Sequence, residues 1–189
     1  DAVERALRMD VDQGRLVLLR DRNSMKPGDY ITDFIQKVGA KDVDLVLIFV
    51  SDRYLNSWYC MMEFEAIHKS LLVADRGVDK NVLLIQHHSV DLGDGASVAA
   101  WQQAWRTQSS FSAADRSGRM AAGLPAPRAI PSPLKNDAGI DEQFWADAIA
   151  AEFATLARIS SNAVGLRRDW KADSSNTLAI IDWIRNKLG

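Results

Sequence analysis

Two rhythms of apolar residues alternate along the first half of this chain. Val3, Ala6, Leu7 and Val11 recur at helical spacing, Glu4 and Arg8 lie four residues apart as a helix-stabilising pair, and Gly14 reads as a helix stop. Leu16, Val17, Leu18 and Leu19 form a continuous apolar run, as expected of a strand covered on both faces. A polar loop follows over residues 21–29, and Pro27-Gly28 punctuates it. Residues 30–38 then predict a short helix with Ile31, Phe34 and Ile35 on one side. The clearest strand is Leu45-Val46-Leu47-Ile48-Phe49-Val50, which ends at Ser51. A helix is expected from Ser57 to Ala74 with Ser57 as its cap, and a third strand at Val82-Leu83-Leu84-Ile85. This order of helix, strand, helix, strand, helix, strand predicts a parallel sheet with helices on both faces.

Beyond His88 the pattern loosens. Residues 97–107 predict a short helix carrying Trp101 and Trp105. The stretch from Ser109 to Asp137 holds Pro125, Pro127, Pro131 and Pro133, so it reads as an extended loop with room for one short strand near Ala129-Ile130. Residues 141–159 predict a helix with a stripe of Trp145, Ile149, Phe153 and Leu156, and residues 177–188 a last helix capped by Ser175 or Asn176. No internal repeat is present.

Composition narrows the classes of partner. The 189 residues are 47% hydrophobic and 25% charged, which suits one α/β domain with decorations. The formal charge of −2 gives no electrostatic reason to expect nucleic acid or an anionic membrane as the main partner. Cys60 is the single cysteine, so no internal disulfide forms and a cytoplasmic setting is expected. No apolar run nears the ~20 residues that span a bilayer. The first residues are charged and helix-like rather than a signal peptide, and without a methionine the start looks cut into.

Three pieces carry the chemistry: a strand followed by the loop ending in Pro27-Gly28, a buried strand ending in Ser51, and the run Ser51-Asp52-Arg53-Tyr54-Leu55-Asn56-Ser57-Trp58-Tyr59-Cys60-Met61-Met62-Glu63-Phe64. Together they resemble the Toll/interleukin-1 receptor (TIR) domain family. Its members carry a Pro-Gly loop after the second strand and a Ser–x–Trp–Cys–x–x–Glu–Leu pattern entering a helix. Here Tyr54, Ser57, Cys60 and Glu63 keep the family spacing, with Phe64 in place of Leu and Tyr59 in place of the usual Trp before the Cys. The resemblance covers about residues 16–89 and weakens beyond. It implies a flavodoxin-like α/β fold in residues 1–159, with a long insertion at about 89–137 and a helical extension over 160–189. The family's first, central strand has no counterpart in the chain, so native residues before Asp1 are expected.

Many TIR domains are similar in cleaving the nicotinamide–ribose bond of NAD+ with the Glu of that pattern, which here is Glu63. The chemistry follows from the substrate. Nicotinamide leaves from an already cationic ring, so no general acid is required; a carboxylate stabilises the oxocarbenium-like ribosyl centre, as in glycoside hydrolysis. NAD+ is then a substrate and no cofactor is implied. Helical spacing distinguishes Glu63, beside Tyr59, Cys60 and Ile67, from Glu65, which pairs with Lys69 across i,i+4 and reads as solvated. Cys60, Phe64, Ile67 and Leu71 are the expected core stripe. Substrate contacts are expected from Asp21, Arg22, Lys26, Ser51, Trp58 and Tyr59, and TIR–TIR contacts from Pro27 and Gly28.

Each of these features also has a plainer explanation. Glu63 can favour an early helix turn through the macrodipole. Pro27-Gly28 is foremost a turn device, Arg22 and Lys26 are as readily solvated charges, and Trp58 and Tyr59 are as readily packing residues. Cys60, on the inner stripe with no His beside it in sequence, reads as core rather than nucleophile. His87 and His88 follow a strand and so are expected on opposite sides, which suits metal poorly. No Gly-rich phosphate loop of Walker or Rossmann type occurs. The leading expectation is a self-associating NAD+ glycohydrolase, with or without cyclase activity, acting in immune, cell-death or anti-phage defence signalling. A non-catalytic TIR adaptor is the alternative, and a nucleotide-sensing domain without turnover is a third.

Overall fold

The computed structural model describes residues 7, 8, 11–13, 44–131, 141–161 and 174–188. Its elements run β1 (Val46–Val50), α1 (Asp52–Leu55), α2 (Trp58–Val73), α3 (Val78–Asn81), β2 (Val82–Gln86), α4 (Gly95–Arg106), a 3-10 turn (Gln108–Ser110), α5 (Ala113–Ala121), α6 (Glu142–Ser161) and α7 (Ser174–Leu188). Residues 7, 8, 11 and 12 are also helical. The strand and helix expected at 16–19 and 30–38 lie outside the described residues.

β1 and β2 pair in parallel, with Val46 opposite Val82 and Val50 opposite Gln86, and His87 N–H extends the ladder by one bond to Val50 O at 2.8 Å. Parallel neighbours need a long crossover, and α1, α2 and α3 supply it. The protein is therefore mixed α/β, with a parallel sheet of two strands among the described residues.

Because side chains alternate along a strand, each strand feeds two apolar layers. Ile48, Val50, Val82 and Leu84 face the larger core, with Trp58, Met61, Phe64 and Leu71 of α2, Trp101 and Trp105 of α4, and Ile149, Phe153 and Leu156 of α6. Leu83 and Ile85 face a second layer with Leu7 and with Ile180, Ile181 and Ile184 of α7. The segment expected as a C-terminal extension thus supplies a helical layer to the sheet. Its helix begins at Ser174, three residues before the expected start at Thr177. None of the described helices is long and apolar enough to cross a membrane.

The stretch expected to be a loop, 109–137, differs in part. α5 occupies Ala113–Ala121, closed at its start by a capping box in which Ser112 and Asp115 satisfy each other's backbone. Its only strong apolar residue is Met120, 58% exposed, so no periodic stripe advertised it. After Gly123, whose positive φ of 68° suits a residue without Cβ, the chain runs extended. No strand forms at Ala129-Ile130; that stretch is held by side chains instead.

Asn56, 6% exposed, takes Ala126 N–H on its Oδ1 at 3.0 Å, its carbonyl takes Arg128 N–H at 2.9 Å, and Trp58 Nε1 donates to Arg128 O at 2.9 Å. Arg116 and Arg119 of α5 donate to the carbonyls of Pro127 and Pro125. These bonds make residues 125–130 a strap across the α1–α2 turn. Asn56→Ala leaves the buried Ala126 N–H without its acceptor and is expected to cost about 1–3 kcal/mol, read as a lowered urea midpoint at unchanged slope.

Candidate functional site

The site is built where β1 gives way to helix. Ser51 caps α1, its Oγ accepting Tyr54 N–H at 3.2 Å, and Ser57 caps α2, accepting Cys60 N–H at 3.4 Å. Two short polar residues therefore stop the strand, turn the chain and start the second helix, because each offers an oxygen to an amide that the helix leaves unpaired. Ser51, expected to touch substrate, has its hydroxyl engaged in this cap.

Glu63 lies on α2, half-buried, as do its neighbours Tyr59 and Cys60. Its charge reaches α1: burial pushes the Tyr54 phenol well above its ordinary range, and nearby Glu63, then Cys60, add to that push. Tyr54 thus stays a neutral phenol within reach of the Glu63 charge at any physiological pH. A half-buried carboxylate beside a neutral phenol can stabilise a developing cation.

The inner face of α2 is rotated from its expected position. Trp58, Met61, Phe64, Glu65 and Leu71 are the buried residues, whereas Cys60 and Ile67 are intermediate. Phe64 and Leu71 hold their expected places and Ile67 packs against the same core while partly buried, but the seam runs through Met61 and Glu65 rather than Cys60. Trp58 is 1% exposed, with its ring edge-on to Trp105 at 5.0 Å and its Nε1 bonded to the strap. Both its faces are covered by protein, so the stacking role expected for it gives way to core packing. Tyr59 keeps part of its surface open. Asp21, Arg22, Lys26, Pro27 and Gly28 lie outside the described residues.

Glu65 was expected in solvent and is 2% exposed. It pairs with Lys69 as the i,i+4 spacing foretells, although that contact lacks the alignment of a hydrogen bond to Glu65 Oε1. The cause of its burial is α6. Glu152 on that helix meets His68 Nδ1 at 2.8 Å, and the ring of Phe64 stacks on His68. Burial raises the Glu152 carboxyl, His68 pulls it down, and the Glu65 charge raises it again. The spacing Glu65-x-x-His68 placed both side chains on one helix face; what lay opposite could not be read from it.

His87 and His88 also differ from expectation. Their ring centroids lie 3.9 Å apart, because β2 ends at Gln86 and the backbone turns at residues 88 and 89, which breaks the strand alternation. Among the described residues, no three His, Cys, Asp or Glu side chains are brought together to hold a metal ion. Comparison of the chain with protein-family models, with curated proteins and with solved structures found no match.

Proposed function

We propose that this chain is a TIR-type NAD+ glycohydrolase with a flavodoxin-like sheet, and that Glu63 is its catalytic carboxylate. The observation that carries the reading is the half-buried place of Glu63 on α2, the helix that the Ser51 and Ser57 caps launch from the carboxyl end of the parallel strand β1. Open α/β sheets bind ligands at that edge. The motif spacing from Ser51 to Glu63 supplies the link to the TIR family.

In the proposed reaction the C–N bond between ribose and nicotinamide breaks with its electron pair going to the nicotinamide nitrogen. Glu63 faces the cationic ribosyl carbon, and water completes hydrolysis to ADP-ribose. Capture by a base nitrogen of the same molecule gives a cyclic isomer. Tyr54, kept protonated, adds no competing negative charge near Glu63. Self-association through neighbouring TIR domains completes the cleft, in a cytoplasmic effector of defence or cell-death signalling.

A second reading, a TIR adaptor without turnover, is favoured by one observation: Trp58 is enclosed and offers no ring face to a nicotinamide. NAD+ consumption by concentrated protein separates the two. Release of nicotinamide by wild type, reduced at least 100-fold by Glu63→Gln at equal self-association, is the expected result. Self-association without NAD+ loss in either protein moves the assignment to the adaptor.

A further inference from the structure

The turn after β2 carries polar groups that the reading above leaves unused. Ser89 Oγ lies 3.0 Å from Asp52 Oδ1 and 2.9 Å from His87 Nδ1, and it accepts the Asp52 backbone N–H at 3.3 Å. The Ser89 backbone N–H reaches His87 Nδ1 at 3.2 Å. Nδ1 is therefore the acceptor nitrogen, and the imidazole proton sits on Nε2. The His88 ring lies against that of His87. His87, His88 and Ser89 are exposed, while Asp52 is half-buried.

None of this is needed to build the turn. Val90 N–H closes it onto His87 O at 3.1 Å, and Gln86 Nε2 binds Val90 O at 2.6 Å. Nor does Asp52 cap α1, since Ser51 does so. Donors and acceptors are out of balance. The Ser89 hydroxyl proton goes to Asp52 Oδ1, His87 Nδ1 takes the Ser89 backbone N–H, and among the described residues Asp52 Oδ2 carries no hydrogen bond. The cluster therefore accepts one O–H and presents one N–H, from His87 Nε2. A vicinal diol matches that demand, because one hydroxyl donates while the other accepts. Inorganic phosphate, which offers mainly acceptors, would meet the Asp52 carboxylate with like charge.

We propose that Asp52, Ser89 and His87, at the carboxyl edge of the β1–β2 pair, form a binding site for the vicinal hydroxyls of a nucleotide ribose. An acidic side chain just past a strand end is the geometry by which other α/β nucleotide sites hold ribose hydroxyls. The inference deepens the NAD+ reading and rests on it for the identity of the nucleotide. Asp52 is a positioning residue: it holds the sugar while Glu63 acts on the bond.

Three histidines in the whole chain, His68, His87 and His88, make the test clean. Imidazole proton resonances of the full chain are followed during titration with ADP and with 2′-deoxy-ADP, which share their phosphates and differ in the diol. The expected result is a saturable shift of His87 with ADP, weakened about tenfold with the deoxy analogue and in Asp52→Asn. In turnover, Asp52→Asn raises KM for NAD+ about tenfold and leaves kcat within about twofold. Equal binding of the two nucleotides, or no shift of His87 by either, overturns the site whatever the turnover. A diol-dependent shift in a protein that never consumes NAD+ upholds the site and overturns the glycohydrolase reading alone.

Discussion

Trp105→Ala is expected to remove about 3–5 kcal/mol of stability, a large share of the ~5–15 kcal/mol that a domain possesses. Trp105 is fully buried, and its ring receives the edge of Trp58 at 5.0 Å with an interplanar angle of 80°. Its Nε1 donates to Leu55 O at 3.0 Å across 50 residues of sequence. Truncation therefore deletes a large apolar volume, an aromatic pair worth about 1 kcal/mol beyond its area, and the hydrogen-bond partner of a carbonyl in the α1–α2 turn. The cavity term dominates, because Trp105 sits among side chains of one buried core and α4 packs along α6, which leaves little freedom to collapse into the gap. Urea unfolding followed by fluorescence reads the loss directly. Trp105→Phe, which keeps a ring but not the N–H, is expected to cost about half as much. A loss below about 1 kcal/mol for alanine would mean that Trp105 is not in this core.

His68→Ala is expected to cost about 2–3 kcal/mol at pH 7.5. The His68 and Glu152 side chains are 13% and 11% exposed, so the loss sits at the low end for a buried pair. The pH dependence tests the cause. Burial and the Glu65 charge hold the Glu152 proton in the fold above its ordinary range, whereas the unfolded chain releases it at the usual carboxylate pH. A raised folded value means that the fold binds the proton more tightly than the unfolded chain does. Its contribution is fully present below the ordinary carboxylate value and is lost as pH rises through the raised one. Glu152→Gln removes that titration. The variant should show a flatter stability curve across this acid window and lose nothing to ionisation above it. In His68→Ala the group that pulls Glu152 down is gone, so the window widens upward and acidification restores part of the lost stability. Denaturant midpoints at pH 5 and pH 7.5 for the three proteins decide the matter; parallel curves would show that Glu152 does not titrate in the fold.

The strands at 46–50 and 82–86 were legible because uninterrupted runs of Val, Leu and Ile leave no polar face for water, and Ser57 marked the start of α2 by its cap chemistry. What escaped the sequence depends on residues far apart along the chain. Glu65 reads as solvated until α6 is laid across it, with Glu152 84 residues from His68. The partners of Trp58 lie 47 and 70 residues away. α5 hides for a different reason: it buries no residue, so it carries no apolar rhythm, and its helix is held by a capping box and two arginines. At the candidate site, the resemblance of the Ser51-to-Glu63 run to the TIR pattern singled out Glu63, and helical spacing set it apart from Glu65. Spacing was silent about Asp52, Ser89 and His87, because a turn sets those contacts and not a period.

The strap also bears on the order in which the chain can fold. Arg119 reaches the Pro125 carbonyl six residues away, and Arg116 reaches Pro127 eleven away, so α5 and the strap close only small loops between them. The bonds that join this unit to Asn56 and Trp58 span 70 residues. Loop-closure entropy favours the small loops first. The clip formed by α5 and the strap can assemble on its own time and dock late, onto an α1–α2 turn already in place. On unfolding the reverse order is expected, with the bonds from the strap to Asn56 and Trp58 opening before the β1–β2 pair is lost.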